Sequence, residues 1–453
     1  MTATTAAFDN YSQDDCREGR RTRVAVIGAG IAGLSAAYAL RSRCDVTIFE
    51  SEDRAGGHAN SIEVTDGDQM LGLDTAFVVY NEPHYPLVTS FFADLGAPTL
   101  THVGGFSFYD KTEGWRYTSE DLEAQESSTM DDDPRLAQIK LEAKRFYDET
   151  PRHFIRGACD LPLGEYLDRE NYSDEFKYGF IILICTAAWS VPAARIWEMS
   201  ASVVVAFFWG HGHGGLGGRS VEWRTVEGGS VQYVRRVLTA LRETGNEIHL
   251  STPVHRVREV SDAVEVVTSR GIERFDNVVM GTHLDDSLRL VEGLPLHRRD
   301  VLGLVEYSPT RVSLHTDPSV MPDSRADWRS WNYGRRRAGD NFQCWVVYYL
   351  NRLQGFDAQR DYFTTLDYPG QIRDDAIIAT IDYRHPVIGQ DVRARQDDLR
   401  DASLQGRIKF CGGYLHSRKV GKDIIGGHES AFDAGLQAAE AIERELANET
   451  PPA

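Results

Sequence analysis

Paired cysteines, long apolar runs and surplus positive charge are all missing from this chain. Its six cysteines (Cys16, Cys44, Cys159, Cys185, Cys344 and Cys411) show no C-x-x-C spacing, so neither a zinc site nor a disulfide framework is expected. The most apolar stretch, FIILICTAAW from Phe180 to Trp189, is too short to cross a bilayer. Residues 1–20 are polar, without the apolar centre of a secretion signal, and read as a flexible tail. A cytoplasmic protein with no integral membrane span is the expectation. Lys and Arg number 49 against 68 Asp and Glu, a net charge of −19. That balance disfavours nucleic acid and anionic membrane surfaces, which reward clustered Lys and Arg.

What is present is a soluble globular composition, 42% hydrophobic and 26% charged, in 453 residues. This length points to two domains rather than one core. The pattern predicts an α/β fold in which a Rossmann-like domain is interleaved with a mixed α+β domain. We expect the first domain to comprise residues 21–82, 222–285 and 404–447, and the second to comprise 83–221 and 286–403. The stretch WRTVEGGSVQYVRRVLTALRETG reads as a loop entering an amphipathic helix, with Val231, Val234, Val237, Leu238 and Leu241 on one face. Residues Thr310 to Tyr383 read as strand-rich.

The segment RVAVIGAGIAGLSAAYALRSRCDVTIFESEDRAGGH, Arg23 to His58, is the most informative. Gly28, Gly30 and Gly33 form G-x-G-x-x-G between a β-branched strand and an apolar helix. The first glycine permits a tight turn, the second lets backbone approach a pyrophosphate, and the third lets helix and strand pack closely. The helix start, at Ile31 and Ala32, offers N–H groups and a positive dipole end to phosphate. Glu50 closes the second strand 17 residues after Gly33, where a carboxylate can accept from ribose hydroxyls. Together these elements predict dinucleotide binding.

Glu50, Arg54, Gly56 and Gly57 continue this as E-x-x-x-R-x-G-G. The extended motif resembles that of the flavin-containing amine oxidoreductase superfamily, which implies FAD as the cofactor. Gly228–Gly229 before a helix and the C-terminal FCGGYL…GGHESAFDAGLQAAEAI resemble two further segments of that family. The likeness extends from Arg23 to about Leu446. It implies cofactor contacts also at Ser51, His58, Val254, Gly412, Gly413, His428 and Glu429, with the C-terminal helix aimed at the flavin pyrimidine. Stretches such as GGHANS, DTAFVVYNEPHYP, SWNYGRR and YYLNRLQG are similar to a bacterial subgroup described as predicted FAD/NAD-binding oxidoreductases. Its members often accompany lipid-modifying genes, which implies apolar or acyl substrates.

Familiar amine oxidases of the family place a lysine in a Y-x-x-x-K pattern; the corresponding EYSPTRVSLHT has Arg311 there. Arginine stays cationic and is no general base near neutral pH, which weighs against an ordinary amine or amino-acid oxidase. Arg311 is a candidate catalytic residue that binds a carboxylate or stabilises reduced flavin, or else forms an ion pair at a strand end. His428 is the second catalytic candidate, as a flavin contact or acid/base; Glu429 contacts the cofactor or caps a helix. His84, Tyr85 and Tyr333 are candidate substrate-binding residues. His211 and His213 lie two apart without a third ligand, so no metal is expected. The leading expectation is a desaturase-like FAD oxidoreductase that removes hydride to form a C=C bond, with O₂ or another acceptor. A double-bond isomerase, an amine oxidase and a flavin-binding scaffold acting through a partner remain alternatives.

Overall fold

The computed structural model describes residues 21–102, 104–124, 133–211, 221–339, 341–421 and 425–449. The tail 1–20, Cys16 and His213 lie outside the described residues. The strand Thr22–Ile27 sits between two parallel neighbours, Cys44–Phe49 on one side and Asn277–Met280 on the other. Ile408–Phe410 and Glu247–His249 extend the sheet to five strands, in the order 408–410, 277–280, 22–27, 44–49, 247–249. All its pairs are parallel. A sheet covered on both faces needs continuous apolar strands, and Val24, Ala25, Val26 and Ile27 are all buried.

The helix Ile31–Leu40 buries every residue except Ala39 because it lies between this sheet and the C-terminal helix His428–Glu449. The two helices touch closely: Ser35 Oγ lies 3.0 Å from the Phe432 carbonyl oxygen, and a Cβ at Gly435 would stand 2.0 Å from that hydroxyl. The amphipathic stretch predicted after Gly228–Gly229 is the helix Val231–Glu243.

A second sheet has seven strands, in the order 377–387, 306–315, 363–366, 341–349, 331–338, 106–110, 116–118. It is antiparallel except where Trp331–Ala338 runs parallel to Phe106–Asp110. Along Glu306–His315, Ser308, Thr310, Val312 and Leu314 are buried while Pro309 and Arg311 are exposed. The helix Ile182–Trp189 packs on the strand Asn341–Tyr349, and Tyr348 Oη donates to the Ala187 carbonyl at 2.9 Å. This helix contains most of the apolar run seen in the sequence; among the described residues no helix is long and apolar enough to cross a membrane.

Candidate functional site

The carboxyl ends of four parallel strands open on one crevice: Gly28 follows the first, Glu50 the second, Gly281 to His283 the third and Cys411 to Gly413 the fourth. Open α/β sheets bind ligands there, where strand order reverses around the first strand. The loop is tied in place by its backbone. Gly28 N–H donates to Phe49 O (2.8 Å), Gly281 N–H to Ile27 O (2.8 Å) and Cys411 N–H to Met280 O (3.0 Å).

The glycines of the motif differ in what surrounds them. A Cβ at Gly33 would lie 2.0 Å from the Gly28 carbonyl oxygen, so helix and loop can pack only with hydrogen there. A Cβ at Gly30 would meet no atom within 4 Å, because Gly30 forms the wall of a cavity of about 820 Å³. That open face lies at a helix N-terminus, where backbone N–H groups can receive an anion. Glu50 is held beside it: Oε2 accepts from Ala29 N–H (2.7 Å) and Oε1 from Glu52 N–H (2.9 Å). Ser51 Oγ donates to the same carboxylate (3.1 Å). Thr252 N–H donates to the Glu50 carbonyl (2.7 Å), which brings the chain around Val254 to this rim. Arg54 spans the turn, donating to the Gly57 carbonyl (3.0 Å) and pairing with Glu52 (2.9 Å).

The cavity runs from Gly30, Ile31 and Ala32 past Gly56 and His58 to Gly412 and Gly413. Gly426, Gly427 and His428 line it as well, so the C-terminal helix presents its N-terminus to the cavity. The His428 ring stacks on Phe77 at 3.7 Å, with Nε2 2.8 Å from Tyr233 Oη. Burial pulls its pKa down to about 3, so the ring is neutral. Beyond this end the wall is apolar, with Ile184, Ala187, Phe207, Trp223, Trp331 and Tyr348. Tyr85 and Tyr333, expected at the substrate, line it. Among the described lining residues the charged side chains are Glu120, Glu123 and Arg384, and none is a lysine. Arg384 is engaged by Asp285 (2.5 Å) and Asp286, which occupy its guanidinium.

Three sequence expectations are corrected, the one for Arg311 in favour of the ion pair weighed as its alternative. Arg311 does not reach the cavity. Strand alternation turns it outward, opposite Asp382 in the register, and the two form an exposed ion pair at 3.0 Å. Glu429 is buried away from the lining: its two oxygens accept from Leu87 N–H and Val88 N–H (each 3.0 Å), capping the helix Pro86–Asp94 rather than its own. Burial pushes its carboxyl up to about 7. His84 lies behind the wall, its ring stacked on His211 at 4.0 Å and its Nδ1 2.8 Å from Asn81 Oδ1.

The structure also assembles a group that sequence reading missed. His58, His283 and His385 come together in the wall, with His58 4.8 Å from His385 and 5.8 Å from His283 between ring centroids. Tyr383 stacks on His58 (4.9 Å) and Tyr307 lies beside His283 (4.7 Å). Sequence reading singled out His58 only. The shared signal was faint: each histidine stands where a strand or glycine turn ends, in GGH, GTH and YRHP.

The fold and the crevice define a dinucleotide-binding oxidoreductase that takes FAD. The flavin containing amine oxidoreductase family profile matches residues 31–332, and the chain belongs to that family. A 41-residue stretch is 56% identical to protoporphyrinogen oxidase 2, chloroplastic/mitochondrial, of Arabidopsis thaliana, which is 9% of this chain and 8% of that protein's length. The fold resembles the crystal structure of "Putative protoporphyrinogen oxidase" from Exiguobacterium sp. 255-15, with TM-score 0.66 and 17% identity over 94% of this chain and 99% of the other. It is also similar to putrescine oxidase bound to putrescine (TM-score 0.65, 16% identity, 94% and 99% covered). A CLA-producing fatty acid isomerase from P. acnes is similar too (TM-score 0.60, 14% identity, 93% and 98% covered).

Proposed function

We propose that this FAD-dependent oxidoreductase takes a hydride from an apolar or acyl-type substrate and leaves a C=C bond, passing electrons to O₂ or another acceptor. The observation that carries the reading is the cavity beyond His428: aromatic and aliphatic walls, with no lysine among the described lining residues. FAD, when bound, supplies the hydride acceptor; the protein supplies position and electrostatics. Gly28, Gly30, Ile31, Ala32 and Gly33 hold the pyrophosphate, and Glu50 with Ser51 holds the ribose. Arg54, Gly56, Gly57, Val254, Gly412 and Gly413 complete the cradle. Segments 21–82, 222–285 and 404–447 form this cofactor unit, and 83–221 with 286–403 the substrate unit. The helix start at His428 sets its positive end where reduced flavin carries negative charge. Tyr85 and Tyr333 orient the substrate, and the apolar wall keeps water from the reacting carbons.

The test is anaerobic mixing of the yellow holoenzyme with fatty acids, acyl thioesters, monoamines and diamines, read at the flavin absorbance band. Bleaching by an acyl compound, with a product lighter by two hydrogens in mass spectrometry, is the expected result. Bleaching by amines alone would overturn the reading. A product of unchanged mass with a moved double bond would assign isomerisation, and no bleaching by any compound would favour the scaffold.

A further inference from the structure

The floor of the cavity holds more proton-binding capacity than packing requires. His58, at the end of the glycine turn, and His385, near the end of the strand Ile377–Val387, bring their rings to 4.8 Å in the cavity wall. His58 Nε2 and His385 Nδ1 are buried atoms without a hydrogen-bond partner. Unpartnered buried nitrogen costs stability, and a phenylalanine or leucine would fill the same space without that cost. Two such atoms, brought together from opposite ends of the chain, point to use rather than packing.

We propose that His58 and His385 are the proton acceptor of this cavity: one of their imidazoles binds a proton as the flavin is reduced. The balance is simple. Two electrons and one proton entering the flavin leave one negative charge on it, and a second proton on an imidazole offsets that charge at short range. The inference rests on the flavin assignment and not on the proposed substrate.

The surroundings explain why the proton arrives only then. Burial drives His58 down to about 3 and His385 well below the usual histidine value, so both are neutral at rest. The charged and titratable groups around His58 include His283 and Arg54, both of which disfavour a proton, with the Arg384 carbonyl opposing them, and His428 from the C-terminal helix, whose own proton affinity His58 lowers. Those acting on His385 are His58 and His283. The guanidinium of Arg384 is taken by Asp285 and Asp286, and Tyr383 Oη is held by Asn60 (2.8 Å) and Thr75 (2.7 Å). Among the described residues no carboxylate contributes to the shift of either ring. An anion about 5 Å away, at an effective dielectric constant of about 20, raises an imidazole's proton affinity on the order of a hundredfold.

The test counts protons. The holoenzyme is reduced at an electrode through a viologen mediator in weak buffer, and an indicator dye reads proton uptake per flavin between pH 5.5 and 8. The wild type should take up clearly more than one proton at the acid end, falling to one at the alkaline end. The His58→Gln/His385→Gln variant, checked for full flavin content, should take up one throughout. Equal counts in both proteins, or a wild-type count of one at every pH, would overturn the proposal. Nitrogen NMR of ¹⁵N-histidine-labelled wild type, oxidised and then reduced, needs no variant. An imidazole signal should shift part of the way toward its protonated position on reduction at pH 5.5, and unmoved signals refute the idea. If no acyl compound bleaches the flavin but the second proton is found, only the substrate reading falls.

Discussion

A Cβ added at Gly33 would press to 2.0 Å from the Gly28 carbonyl oxygen, whereas one at Gly30 enters open space. The two glycines of one motif should therefore fail differently. Gly33→Ala should lower unfolding free energy by about 3 kcal/mol, since backbone cannot move aside as a side chain can. Gly30→Val should leave the thermal midpoint of the apoprotein nearly unchanged yet lose most bound flavin, read as absorbance per protein. Equal loss of stability in both variants would refute the assignment of roles. Arg311 offers a negative control at the same scale. Its partner Asp382 is as exposed as it is, and exposed pairs are screened by water and salt. Arg311→Ala should leave flavin content and turnover unchanged; a large drop in turnover would return Arg311 to the chemistry.

At the scale of elements, the C-terminal helix is the member that joins the cofactor crevice to its surroundings. Glu429, in its first turn, caps the separate helix Pro86–Asp94 with both oxygens. The folded pKa of this carboxyl, about 7, lies above its ordinary value of 4.5. Its protonated form is thus favoured by folding: the contribution is complete below about pH 4.5 and is lost as pH rises through 7. Glu429→Gln cannot ionise, so the stability difference between variant and wild type should shift toward the variant by up to about 1.4 kcal/mol per pH unit between pH 5 and 7. Urea unfolding of both proteins at pH 5, 6 and 7 measures it, and parallel profiles would show that Glu429 does not titrate there.

For the whole molecule, buried histidines set the response to acid. His58 and His428 are pulled to about 3, His283 and His315 to about 4, and His385 well below its usual value, in each case chiefly by burial. The unfolded chain binds these five protons below about pH 6.5 and the folded chain does not, so stability falls as pH drops from there toward 4. Asp74 and Glu429, both raised to about 7 by burial, act in the opposite direction. Burial raises Asp367 as well, so five against three leaves a net uptake of about two protons on unfolding among the described groups, each worth roughly 1.4 kcal/mol per pH unit. Denaturant midpoints at pH 4.5, 5.5 and 6.5 should rise steeply in that order. A flat profile would mean that these rings are protonated in the folded state.

The β-α-β unit and its cofactor class were legible because their determinants are local. Three glycines, a helix start and Glu50 lie within one short stretch, and their backbone requirements leave a mark on the sequence itself. Tyr85 and Tyr333 were named and do line the cavity. Arg311 stayed open between the site and an ion pair because a strand's two faces look alike until its partner is known. Pairing with Ile377–Val387 set Arg311 opposite Asp382 and turned it to solvent. Glu429 was misread for a related reason, since the helix it caps comes from the other end of the chain. The meeting of His58, His283 and His385 left no periodicity to find. Sequence alone determined what could be built from contiguous backbone geometry. Only tertiary structure decided which distant side chains share the cavity, because long-range proximity comes from strand register and packing and not from local conformational preference.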